Sequence, residues 1–282
     1  RLHPRGGGSV DRGRGERGSA GSRAEAGVAR GRISCCERFF TISNIVCVAQ
    51  VLILYWMIRE GGLASREINP LYGPPPQTLV TYGAKQAAKI IYEDEWWRLA
   101  SPILLHAGVV HIATNVLIQL RVGGYLELVW GKFQWVVVYV LSGVLGNMAS
   151  VIFLPDTIGV GSSGALMGML GAWAFYIFLR WTKYPPERRT ERNCQLIVVL
   201  TSITLTIMFS FADYVDWAAH LGGLIGGCLW GIVVFAPHGP NSKVGTVVSV
   251  LTFVGTVILY VVAFAYIVLF VKPDRELLDL DD

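Results

Sequence analysis

The sequence predicts an all-α, polytopic membrane protein, and two observations carry that prediction. Of its 282 residues, 53% are hydrophobic and 16% charged, whereas soluble domains carry about a quarter charged residues. The apolar residues also gather into seven runs, each near the roughly 20 residues a helix needs to cross a hydrocarbon core about 30 Å thick.

In chain order the runs are Ile42–Ile58, Leu99–Leu120, Phe133–Leu154, Val160–Leu179, Gln195–Phe211, Tyr214–Phe235 and Gly245–Val271. Residues 1–40 precede them as a basic tail rich in Gly, Arg and Ser, a composition that buries no core and reads as disordered. The chain does not begin with Met, which reads as a fragment or an incomplete gene model; an Arg-rich, acid-poor start also resembles an organelle transit peptide, although its glycines oppose an amphipathic helix. Residues 60–101 form a long loop whose Trp and Tyr residues and Asn69-Pro70…Gly73-Pro74 stretch predict an ordered, interface-lying segment. Residues 41–240 then make a helical core, 241–272 an additional transmembrane helix, and 273–282 an acidic tail.

Charge sets the expected direction. With a cytosolic N-terminus, 17 of the 24 Lys and Arg fall on the cytosolic side, while 13 of the 20 Asp and Glu face outward. That is the asymmetry of the positive-inside rule. Cys35, Cys36, Cys47, Cys194 and Cys228 have no metal-ligand spacing and imply no extracellular disulfide framework; the Cys35–Cys36 pair reads as a palmitoylation site or as an ordinary juxtamembrane pair.

Polar groups inside membrane spans are costly and mark functional sites by default. The second run contains His111, Asn115 and Gln119, with His106 nearer its outer end; the fourth begins Gly161-Ser162-Ser163-Gly164; the sixth holds His220. An inside N-terminus makes these three runs point the same way. His111, Ser163 and His220 are therefore expected at one depth, near the outer boundary. A serine hydroxyl is a weak nucleophile until a base takes its proton, and His is the usual base. His111 and Asn115, four residues apart on one helical face, together with the Ser163 backbone N–H at a helix start, supply donors for an oxyanion. Gly161, Gly164 and Gly168 on one run and Gly223 and Gly227 on another let two helix backbones approach. Asp216, one turn before His220, offers a triad acid as one reading, but a capping or outer-surface role is the expected one, leaving a Ser–His dyad as the default. Asn115 and Gln119 also suit the simpler task of tying helices together, and Glu127 is expected to order a loop at the cytosolic end.

These residues carry a resemblance. His106-x4-His111-x3-Asn115, Gly161-Ser162-Ser163-Gly164, Ala219-His220-x2-Gly223-x3-Gly227, Trp97-Arg98 and Gly123-x3-Glu127-x3-Gly131 resemble the rhomboid intramembrane serine proteases over roughly residues 40–235. The resemblance implies a six-helix catalytic core with Ser163 and His220 as the dyad, and His111, Asn115 and the Ser163 backbone as the oxyanion hole. It implies a structural part for His106, loop-stabilising parts for Trp97, Arg98 and Glu127, and a seventh C-terminal helix typical of many eukaryotic secretory-pathway members. Ser162 stands where the family commonly has Ala, and Met167 where many members have an aromatic residue beneath the catalytic His. The implied activity is endopeptidase cleavage of transmembrane substrates near the outer or luminal end of their spans, in the secretory pathway or plasma membrane. It needs the lipid bilayer, no metal, no cofactor and no nucleic acid. The rival readings are a catalytically inactive rhomboid-like protein that binds transmembrane clients, and a transporter or channel, which would want charged residues along a path through both leaflets.

Overall fold

The computed structural model describes residues 40–211 and 215–281, and side chains through residue 278. The predicted tail 1–40, with Cys35 and Cys36, lies almost wholly outside the described residues.

The first membrane helix, α1, spans Ile42–Gly61. Its start is fastened twice. The Thr41 hydroxyl accepts from Asn44 N, and the buried Glu127 carboxylate accepts from Ile42 N and Ser43 N, each at 2.8 Å. These bonds satisfy donors that no helix can satisfy internally. Glu127 thus anchors a helix 84 residues away rather than ordering its own loop.

The long loop folds, as its aromatics and prolines predicted. It carries α2 (Pro76–Thr81), α3 (Ala87–Tyr92) and two 3-10 turns, Trp96–Leu99 and Ser101–Leu104. Asn69 Nδ2 donates to Pro74 O and to Ala107 O at 2.9 and 2.8 Å. Arg98, 3% exposed, donates to Val80 O, Ala84 O and the Glu95 carboxylate, with its guanidinium 4.6 Å from the Trp97 ring. A buried Lys85 pairs through its backbone with Gly159, and its ammonium donates to Leu154 O and Thr157 O.

The second apolar run is not one helix from Leu99. Pro102 and Gly108 interrupt it. Regular helix begins with α4 (Val109–Ile118), passes through a π turn at Gln119–Gly123 and ends in α5 (Gly124–Trp130). The expected start was ten residues early because hydropathy reports burial, not hydrogen bonding. Pro lacks a donor, and glycine favours a loop.

The remaining α-helices among the described residues are α6 (Lys132–Phe153), α7 (Ser163–Leu179), α8 (Arg189–Phe209), α9 (Trp217–Phe235) and α10 (Ser242–Phe270). Among the described residues, five helices are long and apolar enough to cross a membrane, and the 17-residue α7 is apolar but shorter. The α7 helix is the hub: it is buried on nearly all sides between α6 and α9, within a core that includes Trp135, Met167, Trp173 and Phe235. By contrast α10 buries only Ser249, Thr256 and Ile267, and its other faces are lined with exposed Val, Leu and Phe. Beyond α10 the chain returns over the long loop. Tyr92 donates to Pro273 O at 3.0 Å, and Gln86 to Leu277 O.

Candidate active site

The site forms where α4, α7 and α9 begin. Each helix start presents one or more of the residues singled out in the sequence. Gly161 leads into α7 with φ of +125°, a backbone region that disfavours a side chain. Its N–H donates to Pro102 O at 2.9 Å, and a Cβ on it would lie 2.8 Å from Cε1 of His111. Glycine is therefore required both for the turn and for the approach of the His111 ring. Ser163 follows as the first residue of α7, with its hydroxyl toward α9.

Helix α9 starts under its own cap. Asp216 Oδ1 accepts from Ala219 N at 2.8 Å, and Oδ2 accepts from the Ser150 hydroxyl at 2.5 Å. Asp216 is a capping residue, and its oxygens are engaged away from the imidazole. One residue after Ala219, His220 is 6% exposed, and its Nε2 lies 2.8 Å from Ser163 Oγ.

Two helices carry side chains this close because glycines line their crossing. A Cβ on Gly223 would fall 2.0 Å from Gly164 O, one on Gly227 1.9 Å from Gly168 O, and one on Gly164 3.1 Å from Ala219 O. Real Cβ atoms do not approach to 2 Å, so the backbones touch only with hydrogen at these positions. The Ser163–His220 distance follows from that contact.

On α4, His111 Nδ1 accepts from Ala107 N at 3.4 Å, which leaves Nε2 to carry the ring proton. Asn115 is 5% exposed, and its side-chain N–H₂ has no partner among the described residues. An unpaired buried donor is uncommon and costly. His106 is fully buried, its ring 5.2 Å from that of His111 and edge-on to it. Ser162 is also fully buried and is not the hydroxyl that meets the imidazole. Met167 lies in the central core, one turn below Ser163. Gln119 ties helices together: it donates to Ser43 O at 3.3 Å and accepts from Tyr139 OH at 2.8 Å.

One contact was not anticipated. Ser210, just past the end of α8 and 2% exposed, places its Oγ 2.6 Å from His220 Nδ1. The only trace in the sequence is a hydroxyl at the end of the fifth apolar run, ten residues before the histidine.

Residues 93–237 match the family model of the rhomboid domain. The chain belongs to the rhomboid family. The matched rhomboid domain contains every side chain described at the site, while α1 and α10 lie outside it. Among relatives, the chain is 32% identical over 209 residues to RHOMBOID-like protein 2 of Arabidopsis thaliana, covering 73% of this chain and 62% of the relative. It is 33% identical over 204 residues to RHOMBOID-like protein 6, mitochondrial, of the same plant, covering 72% and 63%. It is 32% identical over 187 residues to Rhomboid protease GluP of Bacillus subtilis (strain 168), covering 66% and 33%. This rhomboid therefore spans under two thirds of the length of each of these relatives.

Proposed function

We propose that this rhomboid is an intramembrane serine endopeptidase that hydrolyses peptide bonds in or near the outer end of transmembrane segments. The observation that carries the reading is the 2.8 Å contact between Ser163 Oγ and His220 Nε2, made by two separate helices. A relative named as a protease supports it.

In this reading His220 Nε2 takes the Ser163 proton as Oγ attacks the scissile carbonyl carbon. The carbonyl oxygen becomes an oxyanion and accepts from Asn115 Nδ2, His111 Nε2 and Ser163 N, donors already in place before charge develops. The imidazolium then protonates the leaving amine, the amine departs, and an acyl ester remains on Ser163. Water, deprotonated by His220, hydrolyses that ester and restores the hydroxyl. Substrate helices must unwind to present an extended backbone, so small or helix-breaking residues are the expected signal.

The charge distribution supports a cytosolic N-terminus with the site toward the outer or luminal face, in the secretory pathway or plasma membrane. It also supports the division into a tail (1–40), a catalytic core (41–240), a further membrane helix (241–272) and an outer tail (273–282).

The test is labelling by a serine-directed fluorophosphonate in detergent or vesicles. Ser162→Ala is expected to label and Ser163→Ala to stay unlabelled. Labelling that survives Ser163→Ala and is lost in Ser162→Ala would overturn the assignment. Client processing in cells that is indifferent to Ser163→Ala would favour a non-catalytic binder of transmembrane clients.

A further inference from the structure

We propose that Ser210 is a positioning residue that sets the tautomer and orientation of the His220 imidazole, a role that rests on the dyad reading above. The argument is a count of protons. A serine hydroxyl has one hydrogen to donate. Ser210 Oγ lies 2.5 Å from Thr206 O, one turn earlier on α8, and donates to it. That carbonyl needs a donor, because the Ser210 backbone N–H bonds to Ile207 O instead, at 3.1 Å. With its proton committed, Ser210 Oγ meets His220 Nδ1 at 2.6 Å as an acceptor. Nδ1 therefore carries the ring proton, and the Nε2 lone pair faces Ser163 Oγ at 2.8 Å.

The chain of donors runs in one direction. Ser163 O–H donates to Nε2, Nδ1–H donates to Ser210 Oγ, and Ser210 O–H donates to Thr206 O. In the opposite tautomer Nε2–H would point at Ser163, which then has no base. When the imidazole takes up the Ser163 proton, its charge is met at Nδ1 by an oxygen already polarised through a second hydrogen bond. This is the place that a carboxylate fills in a Ser-His-Asp triad. Here the nearby carboxylate, Asp216, is engaged by Ala219 N and Ser150. The other titratable neighbour, His111 on α4, lies on the Ser163 side of the ring, next to Gly161. A hydroxyl at the end of a different helix orients the base in its place.

The experiment measures the rate of fluorophosphonate labelling of the full chain against pH. Ser210→Ala is expected to label about ten to a hundred times more slowly, at or below the lower end of what the base itself contributes (about 100- to 10,000-fold), because the variant keeps the imidazole and loses only its positioning. The acid limb of its profile is expected to move to lower pH, because the imidazolium has lost its acceptor. Ser210→Thr, whose hydroxyl can occupy the same place on a helix, is expected to restore both rate and profile. Ser210→Gly, tolerated at a helix end, serves where the alanine variant does not fold. Labelling of Ser210→Ala or Ser210→Gly at the parent rate, or slowed with the acid limb unmoved, overturns the proposal. Ser163→Ala separates the two readings: if it stays unlabelled the dyad stands whatever Ser210 does, and if it labels the dyad and the role of Ser210 fall together.

Discussion

The crossing of α7 and α9 and the helix α10 are both apolar and rich in small or β-branched residues, yet they are built for opposite surroundings. At the crossing Gly164, Gly168, Gly223 and Gly227 bring backbone to within contact of backbone. On α10 a Cβ at Gly255 would meet nothing within 4 Å, and Val250, Leu251, Val261, Val262, Leu269 and Phe270 are more than half exposed. A glycine in a membrane helix thus has no fixed meaning. It is indispensable where another backbone touches it and replaceable where lipid does. Hydropathy treats the two regions alike, but chemistry is placed only by the one whose partner is rigid.

Four substitutions break or sharpen this contrast. The largest effect is expected from Gly223→Val at the crossing: its Cβ would fall 2.0 Å from Gly164 O, so α7 and α9 must separate. That costs at least about 3 kcal/mol, the upper end of ordinary overpacking, and fluorophosphonate labelling is expected to vanish with a large fall in melting temperature. Next comes Asn115→Ala, which removes the unpaired donor without disturbing the crossing. A loss of about 100- to 1000-fold in kcat with little change in KM is expected, as for other oxyanion donors, and steady-state cleavage of a transmembrane substrate measures it.

The third expectation concerns the loop above the site. Burial holds the Lys85 ammonium down at about 8, against an ordinary 10.5, although Asp216 and Asp156 oppose that shift. Between those two values the unfolded chain binds more protons than the folded one, so stability rises with pH across this window; below about 8 both states carry the charge and the burial cost is felt in full. Melting temperature in detergent is expected to climb from about pH 7.5 to about pH 9.5 relative to Lys85→Met, in which this contribution is missing. Parallel curves for the two proteins would refute it. The smallest effect is reserved for Gly255→Val on α10, where labelling rate and melting temperature are both expected to match the parent. A loss comparable to that of Gly223→Val would erase the distinction between the two regions.

Much of the site was legible because membrane spans tolerate so few polar groups. His111, Ser163 and His220 each stand within four residues of the start of a helix, and Asp216 caps α9 as its position before the helix suggested. Glu127 was expected to order a loop, and it holds the start of a distant helix instead. Its carboxylate caps α1, and no local pattern in the sequence reports a bond between residues 84 and 85 positions apart. The break in the second span was missed for a different reason: Pro102 and Gly108 sit within an apolar stretch, and composition outweighed backbone chemistry.

By itself the sequence singled out His111, Asn115, Ser163 and His220 as polar residues within apolar runs, because period, hydropathy and charge act locally along the chain. Only the tertiary structure decided which atoms meet. Ser163 reaches Nε2 and Ser210 reaches Nδ1 of one imidazole because three helix termini converge on it. That convergence depends on how closely α7 and α9 pack. Contact distances of this kind arise from the summed shapes of neighbouring helices, which no single segment encodes.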